Sequence, residues 1–154
     1  MTVPAHTKRV SVANLDAALD VLRERGLRLS AARRIVLEAL FEAAGPLTAD
    51  ELADGCDLAS VYRNLEQLEE AGVVRHLHVG HGPGLYLPTG RSVELIVCER
   101  CGARAEIYPG VAAGVRTAVC DATGFTPRFD HFPLAGLCPR CAEQRKDQTD
   151  VWTR

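Results

Sequence analysis

The chain has 154 residues, of which 47% are hydrophobic and 25% are charged, with a formal net charge of −2. The composition is typical of a globular protein, and the length suits one domain or two very small ones. No run reaches the roughly 18 apolar residues of a membrane-spanning helix. The charge excludes a general basic field for nucleic acid, since residues 1–75 carry nine Lys and Arg against twelve Asp and Glu, a balance of −3. Any contact with DNA must therefore come from individually placed side chains.

The N-terminal half predicts a series of short helices. Residues 1–11 lack periodicity and are expected to form a flexible tail, whereas apolar residues recur at helical spacing over residues 14–26 and 31–44. A brief capped segment over residues 48–53 precedes the clearest helix, over residues 57–72. The predicted N-caps are Ser30, Thr48 and Asp57. The residues of the second helix expected to face the core are Ile35, Val36, Ala39 and Leu40.

Residues 73–87 follow this helix with two β-like runs separated by a glycine-rich turn at residues 80–84, which predicts a hairpin. Short helices, one well-capped helix and a hairpin are the pattern of the winged helix-turn-helix, whose second helix enters the DNA major groove. Many small helical domains share this outline, so the pattern alone leaves the assignment open. On this interpretation residues 12–88 form a DNA-binding domain.

Two cysteine pairs dominate the C-terminal half: Cys98-x2-Cys101 and Cys138-x2-Cys141. Two residues between cysteines let both sulfurs bind one tetrahedral ion, so the pairs predict a four-thiolate Zn²⁺ site, which is structural because no coordination position stays open. Two disulfides or four unrelated thiols are the alternatives, but nothing in the chain points to an oxidising compartment, and we expect a cytoplasmic protein. The 36 residues between the pairs exceed the roughly 15–20 of ordinary zinc ribbons, so a small subdomain must lie between them.

That subdomain is expected to contain a strand, a helix and a strand. β-rich residues lead into each cysteine pair, at 93–97 and 125–137, and an alanine- and valine-rich stretch at 110–123 predicts a helix. We assign residues 92–145 to this zinc-stapled module and residues 146–154 to a tail. The predicted fold class is α+β, with a winged helix-turn-helix followed by a small zinc-stapled α/β domain.

Residues 59–74, ASVYRNLEQLEEAGVV, are similar to the recognition helix of the ferric uptake regulator (Fur) superfamily, in which (S/T)VYR is followed by spaced leucines and a glycine. The same family places CxxCG and then GxCxxC in a dimerisation domain, where this chain has Cys98–Gly102 and Gly136–Cys141. The resemblance implies a homodimeric, metal-responsive transcription factor, usually a repressor of metal-homeostasis genes, with a zinc-uptake-regulator-like branch as one option. It also implies a double-stranded DNA operator that is palindromic and A/T-rich.

The candidate DNA contacts are Ser60, Tyr62, Arg63, Asn64, Arg33 and Arg34. The first four lie near the N-terminal end of the predicted recognition helix, the end that contacts bases and phosphates in such motifs. Arg63 can bind guanine O6 and N7 in a bidentate pair, and the Tyr62 hydroxyl can reach a phosphate while its ring touches a thymine methyl group. A solvated helix face is an equal alternative for the two adjacent arginines, and a half-buried core position is the alternative for Tyr62.

The regulatory site of many relatives is not matched. They carry Tyr-Glu at the end of the wing and an HHHHLVC run before the first cysteine pair, whereas this chain has LYL at residues 85–87 and SVELIVC at residues 92–98. Leucines stand where the ligating Glu and the last His would be. Two candidate ligand sets remain for a second divalent ion (Zn, Fe, Ni or Mn), namely His76 and His78 joined by His81, or Glu94 and His131 joined by Glu106. Exposed polar residues on the wing are the alternative for the first set.

Several functional hypotheses follow. The first is a metal-responsive DNA-binding repressor. The second is a thiol- or peroxide-responsive repressor on the same scaffold, for which the unpaired Cys56 and Cys120 are candidates, although a buried structural role is commoner for a lone cysteine. A regulator that has lost metal sensing and binds DNA constitutively is a further option. An enzyme is not supported, because four thiolates leave no open zinc position and the chain contains no HExxH, GxSxG or phosphate-loop motif.

Overall fold

The computed structural model describes residues 11–54, 57–80, 82–129 and 131–149, with side chains up to residue 145. The predicted tail up to residue 10 and two candidate residues, Cys56 and His81, lie outside the described residues. The chain divides into two compact units, one formed by Met1–Leu77 with Pro83–Ser92 and the other by His78–Gly82 with Val93–Arg154. None of the described helices is long and apolar enough to cross a membrane.

The described part of the first unit contains four helices and an antiparallel hairpin. Its elements are α1 (Leu15–Glu24), α2 (Ala31–Glu42), α3 (Ala49–Leu52), α4 (Leu58–Glu70), β1 (Val74–Leu77) and β2 (Leu85–Pro88). β1 pairs with β2 so that Val74 lies opposite Pro88, and backbone hydrogen bonds between Leu47 and Tyr86 attach the segment before α3 to β2. The winged helix-turn-helix predicted from the sequence is confirmed.

Each of these helices begins at a side chain that accepts a backbone N–H. The predicted N-caps Ser30, Thr48 and Asp57 each accept from the residue three positions later, at 3.2, 3.1 and 2.9 Å. Asn14 caps α1 in the same way at 2.9 Å. Thr48 and Glu51 form a complete capping box, because the Glu51 carboxylate accepts the Thr48 N–H at 2.7 Å. Such caps satisfy N–H groups that have no partner within the helix, and each contributes about 1 kcal/mol of stability. The local sequence therefore sets where these helices start.

The buried face of α2 differs from the predicted one. Val36, Leu37 and Leu40 are 3%, 0% and 1% exposed and pack with the apolar faces of α1 and α4. Ile35, which we expected in the core, is 50% exposed, so that part of the prediction is wrong. The buried stripe begins at Arg33 and continues three, four and seven residues later. The first residue of this stripe, Arg33, is charged, so a prediction based on apolar residues alone does not include it. Such a prediction shifts the buried face toward Ile35 and away from Leu37.

The described part of the second unit contains a three-stranded sheet and two helices. Its elements are β3 (Leu95–Cys98), β4 (Arg104–Glu106), α5 (Pro109–Thr123), β5 (Leu134–Gly136) and α6 (Pro139–Thr149). The strand order is β4-β3-β5, with β3 antiparallel to β4 and parallel to β5, and α5 lies in the long crossover that a parallel pair requires. The strand expected over residues 125–137 is reduced to β5. α6 continues through residues 146–149, where we expected a tail.

The apolar core of the second unit is small. α5 contributes a single buried residue, Ala112, and the other buried apolar side chains come mainly from β3 and from Phe129. Large apolar side chains remain exposed at Ile96, Tyr108, Val111, Phe125 and Phe132. A unit that buries so little apolar surface needs a further stabilising constraint.

Replacement of Leu37 by alanine tests the corrected core. We expect Leu37→Ala to lower the free energy of unfolding by about 2–5 kcal/mol, because truncation of a fully buried leucine leaves a cavity. The matched control is Ile35→Ala on the same helix, where half exposure of the side chain predicts a loss below about 1 kcal/mol. Urea unfolding of the zinc-loaded protein, followed by circular dichroism, measures both. Equal losses for the two variants would contradict the assignment.

Candidate zinc centre and nucleic-acid interface

The four predicted metal ligands converge in the second unit. The Sγ atoms of Cys98, Cys101, Cys138 and Cys141 all lie within 4.8 Å of one another, and those of Cys101 and Cys138 are 3.7 Å apart. A tetrahedral site with metal–sulfur bonds of about 2.3 Å separates its sulfurs by about 3.8 Å. Among the residues that the structure describes, this is the one group of three or more His, Cys, Asp or Glu side chains that could hold a metal ion. The donor set and its spacing fit Zn²⁺ in a closed structural site.

The sheet brings the first cysteine pair close to the second. Because β3 and β5 are parallel, Cys98 at the end of β3 lies beside Gly136, just before Cys138, and the Glu99 N–H donates to the Gly136 carbonyl at 2.9 Å. The Cys98 carbonyl accepts the Gly102 N–H at 2.9 Å and closes the turn between the first two ligands. Gly102 has a φ of +73°, a conformation that glycine adopts without steric cost. This backbone geometry explains the glycine in CxxCG.

The second cysteine pair begins α6. Cys138 precedes the helix, Pro139 occupies its first position, and Cys141 is 3% exposed in its first turn. Proline suits this position because its fixed φ matches a helix and its missing N–H is not needed there. The Ala142 N–H donates to the Cys138 carbonyl at 2.9 Å. Both sulfurs therefore lie at a helix N-terminus, where backbone N–H groups favour negative charge.

The surroundings of the four thiols affect them differently. Backbone N–H groups of Cys138 and Cys101 lower the pKa of Cys98 to about 6, and the Ala103 N–H lowers the pKa of Cys101. Burial and the neighbouring sulfurs raise the pKa of Cys141 to about 12. Four thiolates at this spacing repel one another. A bound divalent ion supplies the compensating charge, and a thiol that coordinates it is deprotonated outright.

The exposed side of α4 carries two of the predicted DNA contacts. Tyr62 is 44% exposed, and the Arg63 side chain is 72% exposed with its guanidinium 3.8 Å from the Asp57 carboxylate. On α2, Arg34 is exposed and lies 3.3 Å from the Glu38 carboxylate. Ion pairs as exposed as these contribute little to stability. A phosphate or a base edge can therefore replace the carboxylate in either pair.

Two other predicted contacts face the interior. Arg33 is 8% exposed and donates to the Arg28 carbonyl and to the Gln67 side-chain carbonyl, so in this structure its guanidinium is not presented to a phosphate. Asn64 is 8% exposed and donates to the Ser60 carbonyl at 2.9 Å, so in this structure its side chain is not presented to DNA either. Ser60 itself is half-buried. A sequence motif identifies residue types and positions, but it does not indicate the direction in which a side chain points.

The first candidate set of regulatory ligands is divided among other partners. His76 lies on β1, and its Nδ1 atom pairs with the carboxylate of Glu69 on α4. His78 and His131 belong to the second unit, where their ring centroids are 4.9 Å apart and the His78 N–H donates to the His131 carbonyl at 3.1 Å. β1 ends at Leu77, so His78 follows the strand that carries His76 and does not belong to it.

The second candidate set is not assembled either. Glu94, whose side chain is 16% exposed, pairs with the guanidinium of Arg116 on α5, and that guanidinium lies 5.3 Å from the centre of the Phe129 ring. Positive charge is thus already present beside this carboxylate. No metal group among the described residues includes Glu94, Glu106 or His131. The sequence pattern did not reveal these partners, since Arg116 lies 22 residues from Glu94 and Glu69 lies on α4, a different element from the strand that carries His76.

Metal analysis tests the zinc centre. We expect one zinc ion per protomer, and we expect Cys141→Ser, which removes the least exposed ligand, to lose the ion together with the fold of the second unit, because structural zinc supplies folding free energy. The matched control is Cys120→Ser, at an exposed position on α5, which should keep the ion. Elemental analysis gives the stoichiometry, and thiolate charge-transfer bands of the Co²⁺-substituted protein report coordination by sulfur. Zinc retention by Cys141→Ser would reject the site.

Comparisons with known proteins agree with this architecture. A helix-turn-helix domain profile matches residues 29–76. The chain is 28% identical over 138 residues to the peroxide operon regulator of Bacillus subtilis, covering 84% of this chain and 94% of that protein. It is 27% identical over 135 residues to the ferric uptake regulation protein of Neisseria meningitidis, covering 81% of this chain and 93% of that protein.

The fold is also similar to a solved structure, the ferric uptake regulator Fur of Helicobacter pylori. The TM-score is 0.63 at 21% identity, over 88% of this chain and 97% of the other. The domain profile covers α2 to β1, and the two relatives match more than four-fifths of the chain. With its VYR-containing helix and its two CxxC motifs, the chain is similar to regulators of the ferric uptake regulator superfamily, and these relatives support that resemblance.

Proposed function

We propose that this protein is a metal-responsive transcriptional repressor that binds a DNA operator as a homodimer and holds a structural zinc ion. The observation that carries the proposal is the exposed pair Tyr62 and Arg63 on the second helix of a helix-turn-helix, in a chain that also brings four cysteines together. The relatives are named as regulators, and a four-thiolate site has no open position for a substrate, so we propose no enzymatic activity. Free thiols remain reduced in the cytoplasm, where we expect the protein to act.

Sequence discrimination is assigned to α4. The N-terminal turns of a recognition helix face the base edges, and Tyr62 and Arg63 lie in those turns. Arg63 can donate two hydrogen bonds to guanine, and Tyr62 can contact a phosphate and a thymine methyl group. Arg34, near the start of α2, is the remaining candidate for a phosphate contact.

The second unit is the proposed dimer interface. Tyr108, Val111 and Phe125, at and around α5, are 76%, 59% and 76% exposed, and exposed apolar surface of this kind indicates an interface. Two-fold pairing is the commonest assembly of identical chains. A two-fold dimer presents two copies of α4, and its operator is therefore palindromic, with half-sites separated by about one helical turn or a multiple of it. The family resemblance further suggests an A/T-rich operator.

Zinc is the proposed structural ion, because the assembled ligands are four thiolates.

A regulatory metal can change DNA binding only if it binds the DNA-competent state of the protein more tightly than the incompetent state. DNA then changes the affinity for the metal by the same factor. A second divalent ion (Zn, Fe, Ni or Mn) at His76, His78, Glu94 or His131 would have to displace existing partners, including Glu69 and Arg116.

A thiol- or peroxide-responsive repressor is the second candidate. It is supported by the similarity to the peroxide operon regulator of Bacillus subtilis and by Cys101, which is exposed and has a lowered pKa because of the Ala103 N–H. An exposed thiolate is the form of cysteine most open to oxidation. Peroxide titration of the zinc-loaded protein distinguishes the candidates. If low peroxide releases zinc and lowers operator affinity together, the peroxide-responsive repressor is favoured. If operator affinity falls only when a chelator removes metal, the metal-responsive repressor is favoured.

Selection from a randomised duplex library tests the DNA-binding proposal. We expect the zinc-loaded dimer to enrich a palindrome, and Arg63→Ala to cost about 1–3 kcal/mol of discrimination at one base position. Arg34→Ala should instead weaken binding to all duplexes and reduce the slope of log affinity against log salt by about 1. The matched control is Arg23→Ala, which removes a similarly exposed arginine from α1 and should change neither quantity. A library that yields no preferred sequence would reject the proposal.

A further inference from the structure

Two polar side chains are buried in the described part of the chain, and both contact α4. Asn64 lies on α4 and donates to a carbonyl one turn earlier. Arg33 reaches α4 from α2, because one terminal nitrogen donates to the Gln67 side-chain carbonyl while the other donates to the Arg28 carbonyl. A single guanidinium thus connects α4, α2 and the turn between α1 and α2.

Stability does not explain the burial of Arg33. Both of its acceptors are neutral carbonyl oxygens, and its Nε atom has no hydrogen-bond partner among the described residues. Removing a charged group from water is unfavourable, and apolar residues of similar volume commonly stabilise such positions as well or better. The burial of this guanidinium therefore points to a contribution other than stability.

The contribution of the guanidinium is directional. α4 packs on the core through Val61, Leu65 and Leu68, each at most 2% exposed, and apolar contacts are non-directional, so they tolerate a small rotation of the helix. A planar guanidinium with donors in a fixed fork does not. Rotation of α4 by about 15° would move atoms about 6 Å from its axis by about 1.5 Å. Functional groups must be held to within about 0.5 Å of their productive geometry.

We propose that Arg33 and Gln67 form a polar latch that sets the rotation of α4 and thereby determines how well Tyr62 and Arg63 distinguish the operator from other DNA. Both latch residues act as positioning residues. Arg33 is buried, whereas Gln67 is exposed and lies one helical turn after Arg63 on α4, so its variants also test for a direct contact with DNA. The inference rests on the proposed function and adds a determinant of specificity that does not contact DNA.

Three variants separate positioning from stability. Arg33→Met and Gln67→Leu each remove one side of the polar latch. The double variant Arg33→Met/Gln67→Leu replaces both sides with apolar groups, so that neither polar partner is left without the other. The probes are the duplex that the wild-type protein selects from a randomised library and a scrambled duplex of equal length. The readout is the ratio of the two affinities, measured together with the urea midpoint and the salt slope of each variant.

Each variant is expected to reduce the affinity ratio about tenfold, as one mismatched base pair does. The salt slope should not change, because no phosphate contact is removed. The double variant should recover the urea midpoint but keep the lowered affinity ratio. If the contact were only structural, the double variant would recover both. Gln67→Glu keeps an acceptor for Arg33 and should retain the ratio, while Arg34→Ala should show the opposite pattern, a lower salt slope with an unchanged ratio.

A double variant with the wild-type ratio would overturn the polar latch. A lower salt slope for Arg33→Met would overturn it too, since that result indicates a phosphate contact. Loss of the ratio in Gln67→Leu with no effect of Arg33→Met would assign Gln67 a direct DNA contact and reject the inference. If Arg33→Met does not fold, Gln67→Leu and the double variant decide the matter. Failure of the wild-type protein to prefer any duplex is a separate result, which rejects the proposed function itself.

Discussion

Coordination of one ion by four sulfur atoms is the constraint on which the second unit depends. Its helix α5 contributes only Ala112 to the core, and few other apolar side chains are buried there. Zinc binding to small cysteine-rich domains supplies about 10–16 kcal/mol of folding free energy, more than such a core can provide. The parallel pairing of β3 with β5 and the start of α6 hold Cys98 and Cys138 beside each other, so the sheet and the ion stabilise the same arrangement. We therefore expect any surface that this unit offers to a second protomer to depend on the bound ion.

The first unit is stabilised in a different way. The apolar faces of α1, α2 and α4 form its core, and the one metal-ligand group among the described residues lies in the other unit. Polar contacts add direction to this core, because Gln67 accepts from Arg33 and Glu69 pairs with His76. These two partners come from α2 and β1, so α4 is held from two sides. Burial of apolar surface supplies the stability of this unit, whereas the polar contacts define the orientation of its recognition helix.

Much of the fold follows from short-range signals in the sequence. Capping side chains, the glycine-rich hairpin turn and the CxxC spacing each encode their own local geometry, and the structure confirms them. The zinc ligands were predictable for the same reason. The directions of Arg33 and Glu94 are not short-range properties, since their partners Gln67 and Arg116 lie on other elements. The shifted core stripe of α2 has the same cause. Arg33 is buried because it contacts Gln67 on α4. A hydrophobic pattern that assumes apolar core residues omits this arginine and therefore selects Ile35.

The low charge of the chain makes the orientation of α4 important. Non-specific affinity for DNA increases with the number of phosphates that Lys and Arg neutralise, and here the net charge is −2, with a balance of −3 over residues 1–75. We therefore expect weak binding to arbitrary duplex and a large share of the operator affinity from contacts with base edges. Such contacts depend on angle and distance far more than the attraction of a basic surface for phosphates does. A regulator without a basic surface can gain selectivity by holding its recognition helix in one orientation, and the buried Arg33 is the proposed means to that end.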